Sequence, residues 1–174
     1  MADSIPASLI ADAAAGDAEA LARIMAMHDS DMARVCMVIC GEPSMAREAV
    51  QTAWISAWRR LGTLREPERL RPWLVAIAAN EARQLLRREG RRRDYEDRAP
   101  VGWTPPEPAS RAEWLDLQAA VGRLDPDERR ILAMRLVAGL TSEEVARELG
   151  GSASAIRGRL ARLMARLRQE LGND

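Results

Sequence analysis

Apolar side chains recur along this chain at intervals of three and four, the spacing of one face of an α-helix, and no segment reads as a strand. Ala7 to Ala15 reads as a short helix ended by Gly16. Asp17 is placed to cap a second helix. In it Leu21, Ile24, Met25, His28, Met32, Val35, Cys36 and Ile39 form one stripe, until Gly41 and Pro43 stop it. Ser44 is expected to cap a third helix to about Arg60, carrying Val50, Trp54, Ile55 and Trp58, with both Trp in the core. A charged loop, Leu61 to Arg71, follows. Pro72 suits a first helical position, and Trp73, Leu74, Ile77, Ala78, Leu85 and Leu86 carry a fourth helix into an Arg-rich end at Arg93.

The pattern breaks between Asp94 and Ser110, where Pro100, Pro105, Pro106 and Pro108 stand among acids and Gly102, with Trp103 in their midst. That composition reads as an extended linker and a domain boundary. Helical spacing then resumes from about Ala112 to Leu124. Asp125-Pro126-Asp127-Glu128 is a strong start signal, with Asp at the N-cap, Pro at the first helical position and an acid at the third. This helix is expected to run to Ala138 and stop at Gly139. Thr141-Ser142-Glu143-Glu144 is a capping box opening a short helix through Leu149, Gly150-Gly151 makes a turn, and Ser152 caps a final helix to about Leu171. The fold class is therefore all-α: two small helical domains, 1–93 and 112–174, joined by a Pro-rich linker, 94–111, the second containing a helix-turn-helix.

Composition agrees with helices. Phe is absent and Tyr95 is the one Tyr, while Ala, Leu, Arg and Glu abound. The net charge of zero argues against a uniformly basic nucleic-acid binder, but its distribution is uneven. Residues 1–53 hold 3 Arg against 8 acids and residues 54–93 hold 11 Arg against 4. Every basic residue is Arg, a planar donor suited to phosphate and guanine. Cys36 and Cys40 lie on adjacent turns of one helix, where a disulfide would brace nothing. No signal peptide and no apolar run of membrane-spanning length is present, so a reduced, cytoplasmic protein without membrane insertion is expected. The single histidine and the lack of a nucleophile–base pattern argue against an enzyme, and no catalytic residue or cofactor is assigned. His28 with the two cysteines lacks the spacing of a zinc site, so no metal is expected either.

The DNA-binding signal lies between Thr141 and Leu171. A short amphipathic helix through Val145, Ala146 and Leu149, a Gly turn, and a second helix with Ile156, Leu160 and Leu163 inward have the layout of a helix-turn-helix. The second helix begins with Ser152 and Ser154, small enough to enter a groove, and presents Arg157, Arg159, Arg162, Arg166 and Arg168 on its other faces. A bland basic helical hairpin is the competing reading; the caps, the turn and the inward triplet together weigh against it.

The stretch Leu124 to Leu132, followed by Gly139 to Gly150 and Ser152 to Arg162, resembles region 4 of bacterial RNA polymerase sigma factors, with Ala155 where that family usually has Thr. Ala46-Arg47-Glu48-Ala49-Val50-Gln51-Thr52-Ala53-Trp54-Ile55-Ser56-Ala57-Trp58 and Pro72 to Arg88 resemble region 2, with departures at Arg47, Thr52, Ala79 and Gln84. Two regions and a linker are the plan of the extracytoplasmic-function sigma factors, and the resemblance covers about nine-tenths of the chain.

The resemblance implies roles. Glu48, Ala49, Gln51 and Ile55 would dock on core RNA polymerase. Asn80 would read a base of the minus-ten element, and Arg83, Arg87, Arg88 and Arg91 would hold its phosphates. The loop with Arg65, Arg69 and Arg71 would grip a flipped base, and Trp73 is expected in the core. Ser152, Ser154, Arg157, Arg159 and Arg162 would meet the minus-thirty-five element. The implied partners are core RNA polymerase, promoter DNA and an anti-sigma factor. A helix-turn-helix regulator acting without polymerase, and a sigma-like protein that binds no DNA, are the other readings. With no net charge to attract DNA, the isolated chain is expected to bind it weakly.

Overall fold

Capping groups mark most of the expected helix starts. In a computed structural model, the backbone of residues 5–93 and 111–172 and the side chains of 5–89 and 116–172 are described. Residues 94–110 of the expected linker, Trp103 among them, and the Arg91 side chain lie outside the described residues. All regular structure among the described residues is helical. Helix α1 spans Ala7–Ala14, and α2, Ala18–Cys40, begins at Asp17, whose carboxylate accepts from the amides of Glu19 and Ala20. Gly41 ends α2 at φ 72°, a left-handed conformation that a β-carbon would strain.

Helix α3, Pro43–Arg60, is capped by Glu42 and not by Ser44. Glu42 accepts from the amides of Ser44 and Met45 and from the Ser44 hydroxyl, so its longer carboxylate takes the cap two residues earlier. The charged loop contains two 3-10 turns, Leu61–Thr63 and Pro67–Arg69. Helix α4, Leu70–Arg93, starts before Pro72, which falls within the first turn, where a missing N–H removes no intrahelical bond.

In the second half, α5 covers Arg111–Arg123 and α6 covers Pro126–Leu132, with the reciprocal Asp125–Glu128 capping box in place. The expected straight run to Ala138 is interrupted. Ala133–Val137 form a π-turn, in which the Ala138 amide donates to the Ala133 carbonyl. Helices α7, Ser142–Leu149, and α8, Ala153–Leu171, follow.

The long apolar stripe of α2 lies against α3 and α4. Cys36 and Cys40 are reduced and buried, and their thiols face the Ala78 and Ala82 carbonyls of α4 at 3.5 and 4.0 Å. Burial pushes the Cys40 thiol up to about 12 and the Cys36 thiol higher still, so neither is a reactive thiolate.

The two sets of helices are not independent bodies. Ile131, Met134, Leu140, Val145 and Ile156 of the second half belong to the same buried cluster as Ile24, Met32, Ile39, Leu70 and Leu74 of the first. A smaller cluster, centred on Leu124, Leu132, Leu163 and Leu167, fastens α5 and α6 to α8. No helix among the described residues is long and apolar enough to cross a membrane.

Candidate nucleic-acid interface

Helix α8 is the simplest part of the interface. The Thr141 hydroxyl accepts from the Glu144 amide and the Thr141 amide donates to the Glu144 carboxylate, capping the start of α7. Gly150 and Gly151 turn the chain at φ 75° and 123°, and Ser152 accepts from the Ala155 amide to start α8. Ile156 and Leu163 are buried and Leu160 is half-buried, so the helix is held by one face. Arg157, Arg159 and Arg162 are exposed at the start of the other face. Ser152 and Ser154 are also exposed, their hydroxyls 3.0 Å apart. All five residues expected at the minus-thirty-five element therefore share one accessible end.

The basic block of the first half is differently placed. Arg65 and Arg88 are exposed, and Asn80 is half-buried with no side-chain hydrogen bond among the described residues. Trp73 is packed against the core. Four others of the expected minus-ten surface, Arg69, Arg71, Arg83 and Arg87, are engaged. Arg69 pairs with Glu148 of α7, and with Glu66 at 3.5 Å. Arg71 donates to Asp31 at 2.7 Å and to the Ala138 carbonyl at 2.8 Å. Arg83 donates through two nitrogens to Asp127, at 2.5 and 3.2 Å, and Arg87 reaches the same carboxylate at 2.6 Å. Arg130 completes the group at 3.1 Å. Burial pushes the Asp127 carboxyl up, but the hydrogen bond and charge of Arg83, with the charges of Arg130 and Arg87, outweigh it and hold the carboxyl below the ordinary carboxylate range.

Helix α3 carries a third surface. Ala46, Ala49, Val50, Ala53, Trp54 and Ala57 point inward, and Trp54 donates its indole N–H to Asp29 at 2.9 Å. Ala49, expected to touch a partner, is 1 % exposed and lies beneath that surface. Glu48, Gln51 and Ile55 are exposed. Trp58, expected in the core, is 54 % exposed and Ile55 51 %. The four exposed residues stand at intervals of three, four and three along α3, one face of a helix. That spacing was the sequence signal for Trp58, and its hydrophobicity concealed it.

Comparison with known proteins matches both halves. Residues 24–92 match the family model described as sigma-70 region 2, and residues 114–167 match sigma-70 region 4. RNA polymerase sigma factor NccH of Alcaligenes xylosoxydans xylosoxydans is 30% identical over 94% of this chain and 93% of its own length. The protein named "Probable RNA polymerase sigma factor RfaY" of Xanthomonas campestris pv. campestris is 31% identical over 98% of this chain, which spans 46% of that relative. The structure of CnrH, a sigma factor of Cupriavidus metallidurans, in complex with the cytosolic domain of CnrY superposes with a TM-score of 0.72 and 27% identity. It covers 96% of this chain and 97% of CnrH.

Proposed function

The chain belongs to the sigma-70 family of RNA polymerase sigma factors, of the extracytoplasmic-function type, and from that premise we propose how its two halves divide the work of transcription initiation. It is an initiation factor and not an enzyme: it binds core RNA polymerase and promoter DNA. The first half, residues 1–93, docks on polymerase and meets the minus-ten element, and residues 112–174 meet the minus-thirty-five element.

The exposed arginine face of α8 beside its capped start carries this reading. Laid in the major groove, α8 offers Ser152, Ser154 and its first amides to phosphate, and Arg157, Arg159 and Arg162 to phosphate or guanine. A bidentate arginine–guanine pair contributes about 1–3 kcal/mol of discrimination. On α4, the Asn80 amide both donates and accepts, so it suits a base edge or an extruded base. Arg83, Arg87, Arg88 and Arg91 bind the strand beside it. Arg65, Arg69 and Arg71 of the loop grip the flipped base, whose extrusion costs a few kcal/mol. Docking uses Glu48, Gln51 and Ile55, to which Trp58 is added; an aromatic flanked by polar residues is typical of an interface anchor. The protein works in the cytoplasm, where the polymerase is, and an anti-sigma factor is its regulator.

Reconstitution with core polymerase tests the reading. The chain is expected to co-elute with polymerase on gel filtration and to support a run-off transcript from a selected promoter. Ile55→Ala with Trp58→Ala should abolish co-elution while the circular dichroism spectrum is retained. Arg157→Ala should lower promoter-dependent transcription by about tenfold or more. Absence of both co-elution and a transcript with the unaltered chain would refute the assignment.

A further inference from the structure

Ile156, Leu163 and Leu167 bury one line of α8. At about 3.6 residues per turn, the line opposite them holds Ser154, Gly158, Ala161 and Ala165. Arg157 and Arg168 border it on one side, and Arg159 and Arg166 on the other, with Arg162 between the line and that second row. The middle of the outward face thus carries its smallest side chains, and cations stand along both borders.

Within that line Gly158 weakens the helix. Glycine in a helix interior is unfavourable relative to alanine, because it loses the most backbone freedom on folding. The fold does not require it. Gly158 has no left-handed φ. A β-carbon there would lie 3.6 Å from Nη1 of Arg162, an ordinary contact, and apart from its chain neighbours no other side chain among the described residues comes within 4 Å. Alanine would fit and would steady α8. The missing side chain faces away from the core, so its reason lies in what approaches α8 from outside.

We propose that Gly158 sets the depth at which α8 seats in promoter DNA, and with it the reach of Arg162 to a base. The proposal rests on the assignment of α8 to the minus-thirty-five element made above. A major groove is about 12 Å wide and 8.5 Å deep, and an α-helix with its side chains is about 10–12 Å across. A helix entering such a groove is stopped by the side chains on its leading line. With Ser154, Gly158, Ala161 and Ala165 on that line, the backbone of α8 comes close to the base edges, a use to which glycine is suited. The bordering arginines then meet the phosphates of the two strands. Arg162, whose guanidinium lies beside Gly158, is the cation nearest the groove floor. Gly158 is thus a positioning residue that acts through Arg162.

Stability and promoter reading should therefore move in opposite directions. Gly158→Ala and Gly158→Leu are compared with the unaltered chain in urea unfolding, in co-elution with core polymerase and in run-off transcription. The templates are a promoter selected with the unaltered chain and the same promoter with its minus-thirty-five element scrambled. Gly158→Ala is expected to raise the urea midpoint and to leave co-elution unchanged. It should nevertheless lower transcription from the selected promoter by about threefold, and Gly158→Leu by about tenfold or more, the scale of one lost bidentate base contact. Transcription from the scrambled template should change less, so the ratio between the templates falls. Gly122→Ala in the last turn of α5, where the missing β-carbon also has open space, is the control for helix propensity and should leave that ratio unchanged. An unchanged ratio in Gly158→Leu, a lower urea midpoint in Gly158→Ala, or an equal loss of ratio in Gly122→Ala would overturn the proposal. An unaltered chain that gives no transcript would overturn the reading beneath it as well, whereas a transcribing chain beside an equally selective Gly158→Leu would overturn this proposal alone.

Discussion

His28 lies on the inner face of α2, buried, with its Nε2 unpartnered among the described residues. Burial lowers its basicity, the Asp31 charge opposes that, and Arg71 adds to it, so the ring stays neutral below its ordinary range. The unfolded chain therefore takes up this proton first as pH falls through about 6.5, and stability declines between that value and the lower folded one. The melting temperature is expected to drop from pH 7.5 to 5.5, and His28→Met should flatten the drop. An equal drop in both chains would assign the effect elsewhere. Asp31 and Asp127, whose folded carboxyls are held low, lose their contribution only below about pH 4, outside this window. At the same scale, residue type misled for Trp58. Trp54 and Trp58 sit four apart on one helix, yet one is buried on Asp29 and the other faces out. Hydrophobicity alone does not say which side of a helix is covered.

Helix starts were the most legible elements because a cap is local: donor and acceptor lie within three residues of each other. The boxes at Asp125 and Thr141 and the caps at Asp17 and Ser152 all stand where the sequence places them. Thr141→Ala is expected to cost about 1 kcal/mol in urea unfolding. Glu42→Ala should cost more than Ser44→Ala, reversing what the sequence implies; the opposite order would return the α3 cap to Ser44. The π-turn at Ala133–Val137 was not legible. Nothing in Ala-Met-Arg-Leu-Val breaks a helix locally. Met134, Ala138 and Leu140 are all buried in the cluster shared by both halves, with Leu136 outside. The Arg135 side chain, bonded to the Leu140 carbonyl, and Arg71, bonded to the Ala138 carbonyl, take up acceptors that follow the turn.

At the scale of the molecule, one apolar cluster joins what the sequence divides at a Pro-rich stretch. Met134 is fully buried in that cluster. Met134→Ala is expected to cost about 2–5 kcal/mol and to lower the stability of both halves together. Calorimetry should show a single transition in the unaltered chain, with hydrogen exchange in α2 and α7 slowed alike. Two separate melts would refute a shared core. The same packing explains why the candidate DNA surface of the first half was only partly legible. Its arginines were found by type and spacing, and the carboxylates that meet them, Asp127 and Glu148, lie 40 to 79 positions away.

The sequence by itself determined the helices, most of their caps, the Gly turn before α8 and the outward arginines of that helix. Each depends on neighbours within one or two turns, so a linear pattern carries it. The tertiary structure alone decided that Trp58 is exposed, that Ala49 is covered, that α6 ends in a π-turn, and that Asp127 gathers Arg83, Arg87 and Arg130. Those outcomes depend on which surfaces meet, and contacts between distant segments leave no local period in the chain.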